Sequence, residues 1–432
     1  MRRIAMSGLT AVAGLLACAG AAMALDKDNP LPAANPQSVG LAPDRLARIG
    51  TVFNREVSSD RLPGAVYAVA RKGKLVHFQA LGFRDKAANA AMPKDAIFSI
   101  ASMTKPMVSV AIMMLWEEGR VRLNDPVGKY LPELADRKVG VVKQGPDGKP
   151  QIETVPAVRQ PTIQDLLRHT SGIPYGARGT TEIHKMWPAS SSATAVTFTG
   201  KEFLAKLAPL PLVSQPGTVW EYSLSVDVLG LVVEAVSGKS LGEFLAERIW
   251  RPLGMVDTSF TVPADKQGRY ARALEKDPLS GQPQSVLHAT GKPLKMECGG
   301  GCAVSTTADY IRFAQMLANG GVLDGKRLLG RKTVEFMTAD HLAAEVENNV
   351  AVTEPSRKGY GFGLGFAVRR QAGISAVAGS AGDYNWAGAF GTFFWVDPKE
   401  QLVAVYMSAA PGPIRQEHRA LFTDLVLQAL VD

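Results

Sequence analysis

Cysteine is scarce in this chain, with three in 432 residues, too few for a disulfide-built scaffold or a four-thiolate zinc site. Its six histidines show no H-E-x-x-H or related spacing, so neither a metal nor another cofactor is expected. Past the first two dozen residues, no run is apolar for long enough to span a bilayer. A basic arm is also missing: the formal charge is +8, but the 48 basic residues are scattered among 40 acidic ones. Nucleic acid is therefore not an expected partner. Internal repeats and low-complexity tracts are absent too, which excludes solenoids and leaves a globular chain long enough for a large core.

What is present begins with a leader. Arg2 and Arg3 precede an apolar run from Leu9 to Ala22 and the small-residue site Ala22-Met23-Ala24. Residues 1–24 therefore read as a secretory signal peptide, and the mature protein is expected to be exported, either periplasmic or secreted. Leu15-Leu16-Ala17-Cys18 is a competing lipoprotein site. Cleavage there would acylate Cys18 and tie the protein to a membrane. Cys298 and Cys302, separated by three glycines, can close a small disulfide loop in an oxidising compartment.

Pattern changes divide the remainder. Ala42 to Val57 reads as an amphipathic helix opened by Pro43, and Gly64 to Ala70 with Lys74 to Phe83 as a hairpin. Ser102 to Glu118 is expected to be helical and to end at Gly119. From Arg120 to Gly330 the pattern is helical, with capping boxes at Thr199/Glu202 and Ser240/Glu243. Gly140 to Pro161 and Tyr175 to Thr197 lack a period and read as surface excursions. "GFGLGFAVRR", "GAFGTFFWVDP" and "QLVAVYMSA" read as three strands, and Arg415 to Leu430 as a closing helix. Strands at both ends and helices between them predict an α/β domain from residues 25–119 and 331–432, with a mainly helical domain, 120–330, inserted.

Three features can carry chemistry. Ser102 and Lys105 lie one helical turn apart, close enough for the amine to take the hydroxyl proton; alone, the pair reads sooner as a capping serine with a nearby lysine. Free N–H groups at that turn favour an oxyanion. Tyr222 stands between the turn "QPGTVW" and a helix starting near Ser225, where its hydroxyl can enter a cleft. At Trp386-Ala387-Gly388, small residues interrupt a strand entrance; the N–H of Ala389 can complete an oxyanion hole with that of Ser102, or the stretch is only a hairpin corner. A decoy, Ala378-Gly379-Ser380-Ala381-Gly382, approaches the G-x-S-x-G elbow, but strand rather than helix is expected after it, so Ser380 reads as a turn residue. His169 and Asp165 read as parts of a capped helix end.

In this order the three features resemble the serine β-lactamase and penicillin-binding-protein superfamily. "LLRHTSGIPYG", "RPLGMVDTSF" and "GGGCAVSTTADYIRFAQMLANGG" resemble its class C-like branch. The resemblance implies an antiparallel sheet of about five strands flanked by helices. It departs from class C at Trp386-Ala387-Gly388, which replaces K-T-G, and at Tyr222-Ser223-Leu224, which replaces Tyr-x-Asn. The lost lysine would have paired with a substrate carboxylate, so its absence points to an uncharged acyl donor. These departures are similar to family VIII carboxylesterases.

That likeness implies a serine esterase acting on small-molecule esters of short to medium chain. Ser102 would be the nucleophile, with Lys105 and Tyr222 sharing the proton work. Ser102 and Ala389 would form the oxyanion hole, and Trp386, Ala387, Gly388, Leu224 and Tyr175 would line the substrate site. A class C-like β-lactamase, a D-amino-acid peptidase or an oligomer amidase are the alternatives on the same scaffold. A ligand-binding sensor is the non-enzymatic one.

Overall fold

A computed structural model describes residues 29–432. The signal peptide, its cleavage points and Cys18 lie outside the described residues.

The fold is built on one antiparallel sheet. Gly64–Arg71 (β1) and Lys74–Asp85 (β2) form the expected hairpin, with Lys72 and Gly73 at φ 51° and 73° in the turn. Left-handed conformations at both positions give the turn the twist that flanking strands need. Ala90–Ala91 (β3) pairs with β2. The C-terminal part adds Tyr360–Phe362 (β4), Ala367–Arg369 (β5), Tyr384–Ala387 (β6), Phe393–Asp397 (β7) and Leu402–Ser408 (β8).

The order is β4-β5-β6-β7-β8-β1-β2-β3, eight strands instead of about five. The short β3 is one of the three added strands, and glycines explain the other two. Gly365, at φ 102°, turns "GFGLGFAVRR" into the hairpin β4–β5, and Gly391, at φ 111°, separates β6 from β7.

Five longer helices are Pro43–Ser58 (α1), Thr104–Glu117 (α2), Ser225–Ser237 (α3), Thr307–Ala318 (α4) and Ile414–Leu427 (α5). The sheet alternates with period two between two apolar layers. Val66, Ala68, Val403, Val405 and Phe394 join the core that contains α2, α3 and α4. Tyr67, Val69, Ala404, Tyr406 and Trp395 face α1 and α5. β1 is buried along its whole length because both faces are covered.

In α1, Leu46, Ile49, Phe53 and Val57 form the buried stripe, and the Phe53 ring lies 5.3 Å from that of Tyr406. Phe53→Ala should cost about 3–5 kcal/mol through the cavity it leaves, measurable as a lower denaturation midpoint with normal secondary structure. α2 has twelve of its fourteen residues buried, as suits a helix apolar on every side.

Both expected surface excursions carry regular structure, and the second is not confined to the surface. Lys138–Gln144 and Pro150–Pro156 pair as a hairpin. Its faces are largely in solvent, so no apolar alternation marks it. Tyr175 to Thr197 contains the helices Glu182–Met186 and Ser191–Thr197, and it buries Tyr175, Ile183, Trp187 and Ala195. These side chains wedge singly into the core and leave no period to read.

Candidate active site

The site starts from the turn before α2. Ala101 sits at φ 44°, a left-handed conformation that costs a non-glycine residue about 1–3 kcal/mol and needs support from its surroundings. That support is visible. Ile100 N–H donates to Ala303 O at 3.0 Å, and Tyr310 Oη donates to Met103 O at 2.8 Å. Thr104 Oγ1 donates to Ala101 O at 2.7 Å and accepts from Ala303 N–H at 3.1 Å. Residues Ala101–Met103 form a 3-10 turn in place of the expected α-helical one, and Ser102 is half-buried in a cleft wall.

Lys105 is 1% exposed. Its Nζ donates to Ser102 Oγ at 3.3 Å, to Tyr175 Oη at 3.0 Å and to Gly300 O, which uses all three ammonium protons. Tyr175 Oη lies 2.7 Å from Ser191 Oγ, and Ser191 donates to Asp227 Oδ2 at 2.7 Å. Gly300 N–H donates to Asp227 Oδ1 at 3.0 Å, closing the ring. A buried cation and a buried carboxylate are thus joined through two hydroxyls and one peptide.

Burial pulls the Lys105 amine down, but Tyr175, Tyr222 and Asp227 outweigh it and hold the amine above its ordinary range. Burial likewise pushes the Asp227 carboxyl up, against Lys105, Ser191 and Gly300.

Tyr222 is buried among Tyr175, His169 and Trp386, with ring centroids 5.4, 4.9 and 5.1 Å away. Burial alone would raise its phenol. The Lys105 charge, contact with Lys105 and Ser102, and Arg178 draw it below the ordinary tyrosine value instead. Asp165 lies in a capped helix end as expected, closing a capping box with Thr162, while His169 follows that helix at φ 58°. Its Nδ1 lies 2.9 Å from Ser223 Oγ, and burial keeps the ring neutral at ordinary pH.

The end of β6 closes the site. A Cβ on Gly388 would lie 2.2 Å from both Ile100 O and Thr392 Oγ1, so only glycine lets this edge rest against the Ser102 turn. Ala389 consequently shares the cleft lining with Ser102. Trp386 lines the recess beside Ser102 with Ala387 and Gly388. It is 2% exposed, donates from Nε1 to Tyr222 Oη at 3.2 Å, and lies under the Arg357 guanidinium at 4.1 Å. Its indole N–H thus also holds the Tyr222 hydroxyl. Leu224 is a correction: it is fully buried at the start of α3 and lines neither recess beside Ser102, because its side chain joins the core. Tyr175 does line the cleft.

Two recesses meet at Ser102. One is bordered by Tyr175, Ala177, Ala189, Phe390 and Gly301. The other lies toward α5 and is bordered by Arg178, Arg357, Arg415 and Arg419. Ser380 is remote from both, in a turn where Asp383 N–H bonds its carbonyl and strand β6 follows. Cys298 and Cys302 are joined as a disulfide, with Cα atoms 5.3 Å apart, around the glycines that hold Lys105 and Asp227. Among the described residues, no group of three His, Cys, Asp or Glu side chains could hold a metal.

The Beta-lactamase family model matches residues 49–428. The chain belongs to the Beta-lactamase family. Protein Rv1367c of Mycobacterium tuberculosis (strain ATCC 25618 / H37Rv) is 38% identical over 354 residues, covering 80% of this chain and 85% of that protein. Esterase EstB of Burkholderia gladioli is 31% identical over 361 residues, covering 81% and 87%. The solved structure of EstCE1, described as a hydrolase with promiscuous acyltransferase activity, superposes with a TM-score of 0.71 at 23% identity over 88% of this chain and 99% of that one. This last likeness concerns the fold alone. The Beta-lactamase-family chain is a serine hydrolase, and the expected β-lactamase-like fold and superfamily are observed.

Sequence reasoning missed Ser191, Asp227, Gly300 and the four arginines. One signal was available: Asp227 is a lone acid in the apolar helix "SVDVLGLVV", where a buried charge demands a buried partner.

Proposed function

We propose that this protein is a serine carboxylesterase that hydrolyses short- to medium-chain esters through an acyl-enzyme on Ser102. The observation that carries the reading is Lys105 Nζ 3.3 Å from Ser102 Oγ, with Tyr222 lining both recesses that meet at that hydroxyl. Tyr222, as phenolate, takes the Ser102 proton as Oγ attacks the ester carbonyl. Lys105 stays protonated and stabilises the negative charge that moves between Tyr222 and the substrate. The N–H groups of Ser102 and Ala389 hold the oxyanion. Tyr222 then returns the proton to the leaving alcohol. A water enters, gives its proton to Tyr222 and its oxygen to the acyl carbon, and Ser102 recovers its hydrogen as the acid departs.

Similarity to a named esterase supports esters over lactams. The arginines beside Ser102 favour a second reading, β-lactam hydrolysis as a weak side activity of the same machinery. The enzyme is taken to act outside the cytoplasm, exported by residues 1–24, and the Cys298–Cys302 disulfide supports an oxidising compartment.

The test is a substrate panel of p-nitrophenyl acetate, butyrate and octanoate against nitrocefin. The best ester should exceed nitrocefin by about 10²-fold or more in kcat/KM, as expected when binding is matched to one reaction's transition state. Nitrocefin as the best substrate would replace the esterase reading with a β-lactamase one. Inertness toward the whole panel would favour the peptidase, amidase or sensor alternatives.

A further inference from the structure

The Cys298–Cys302 disulfide takes no part in acyl transfer itself, yet it closes the segment on which Lys105 leans. Between the two cysteines lie three glycines and nothing else. Gly300, the middle one, accepts from Lys105 Nζ at its carbonyl and donates from its N–H to Asp227 Oδ1 at 3.0 Å, so one residue joins the buried cation to the buried carboxylate. Directly after Cys302, Ala303 O accepts from Ile100 N–H at 3.0 Å and Ala303 N–H donates to Thr104 Oγ1 at 3.1 Å. The cross-linked loop thus reaches both the Lys105 network and the turn that presents Ser102.

Two of these positions have no room for a side chain. A Cβ on Gly299 would lie 2.4 Å from Val226 O, and one on Gly300 would lie 2.3 Å from both Asp227 Oδ2 and Ser191 Oγ. Close approach to α3 therefore demands the residue type with the most conformational freedom to lose. Glycines bring no side chain to anchor the loop, and its internal hydrogen bonds, from Gly301 and Cys302 N–H to Cys298 O, are long at 3.3 Å. A covalent cross-link supplies the missing restraint.

Stabilisation of the whole fold accounts for little of this. The bond spans four positions, and closing so short a loop removes less chain entropy than closing a long one. Both cysteines are fully buried in the core that contains α2 and α3, where unbridged thiols would serve equally as small hydrophobes. What only the bond provides is a fixed place for Gly300.

We propose that the Cys298–Cys302 disulfide is a positioning element for catalysis, which sets the Gly300 carbonyl on Lys105 and makes full activity depend on oxidation of the two thiols. Its formation joins the sulfurs in one S–S bond and passes two electrons and two protons to a disulfide oxidant, which leaves as two thiols. The inference rests on the roles given to Lys105 and Tyr222 in the esterase reading.

The test uses the full-length protein carrying Cys18→Ser, so that only these two thiols can pair. Because both sulfurs are buried, the protein is unfolded and reduced, then refolded either in a glutathione redox buffer or under dithiothreitol. The reduced form should lose about tenfold or more in kcat toward p-nitrophenyl butyrate while KM changes by less than about threefold, as when a catalytic group is misplaced and substrate binding is kept. Its acid limb should move to higher pH, because a Lys105 released by Gly300 draws the Tyr222 proton off less strongly. Arg178, Arg357, Tyr175 and the neutral His169 also face that phenol and are the same in both forms.

Unfolding the reduced sample and refolding it with oxidant should restore both kcat and the limb, and Cys298→Ala/Cys302→Ala should behave as the reduced form in either buffer. Equal kcat in the two forms, or a lower kcat with the acid limb unmoved, would overturn the inference. So would failure of both the reduced protein and the double variant to regain native dichroism, since the bond would then serve folding alone. If the oxidised protein hydrolyses no ester, the esterase reading fails, and the rate at which a fluorophosphonate labels Ser102 takes the place of kcat. Slower labelling of the reduced form with a shifted limb would sustain the inference, and equal labelling, or none in either form, would overturn it.

Discussion

Ser102→Ala is expected to abolish ester hydrolysis, with a loss of about 10⁴-fold or more, the scale seen when a nucleophile that acts as part of a unit is removed. The protein should remain folded. Ser102 Oγ supports no backbone group among the described residues; it accepts from Lys105 Nζ at 3.3 Å. The turn is held by Thr104, Ala303 and Tyr310. Far-ultraviolet dichroism and the unfolding midpoint should match wild type. Ser380→Ala should keep full activity, since that residue sits in a turn before β6. A Ser102→Ala protein that still hydrolyses esters, or an acyl adduct that mass spectrometry maps to another residue, would remove the nucleophile assignment.

The second large effect concerns Lys105→Ala and appears most clearly in the pH profile. In the wild-type protein Tyr222 is drawn below its ordinary value, chiefly by Lys105 acting against burial, while Lys105 is raised and keeps its proton. If the phenolate is the base, activity should rise with pH as Tyr222 deprotonates, with an inflection below the usual tyrosine range. Removing the Lys105 ammonium leaves burial to push Tyr222 up, so the acid limb should move to higher pH.

At neutral pH kcat should drop by about 10²-fold or more, as loss of an acid-base partner usually costs, and part of it should return in alkaline buffer. Tyr222→Phe should lose a similar factor and recover nothing at any pH. The double variant should cost much less than the product of the two, because the pair acts together. An acid limb that stays in place in Lys105→Ala would show that the amine does not tune the phenol.

The parts of this site that could be read from sequence are those whose chemistry is local. Ser102 and Lys105 are three positions apart on one helical turn, and Tyr222 is marked by the turn before it and the helix after it. The unread parts depend on distance in sequence. Tyr175 and Asp227 meet only through Ser191 and Gly300, from a stretch with no period and a glycine loop. Four arginines from three separate segments form one recess without leaving a motif.

Leu224 was placed in the substrate site because it occupies a motif position. A leucine after a buried Ser223 is more stable in the core, and the helix start allows it to go there. For the fold, alternation revealed the long inner strands, but not that "GFGLGFAVRR" would make a pair of strands or that a further strand would precede "GAFGTFFWVDP". The hairpin of Lys138 to Pro156 was silent because it buries too little to need a pattern.

The pairing of β1 with β8 has a consequence for how the protein comes into being. Ala65 stands opposite Ser408, and Arg71 opposite Leu402, so the central strand finds its second neighbour only after more than three hundred further residues have been made. Until then its outward edge is an open row of donors and acceptors, and the Ser102 turn lacks the Thr392 hydroxyl that will bond Ile100. A ribosome-bound or truncated chain can therefore form the first hairpin but neither close the sheet nor assemble a working centre. Ordering must follow completion of synthesis, the slow route expected of long-range strand pairing. The chain thus stays inactive for as long as it stays unfinished.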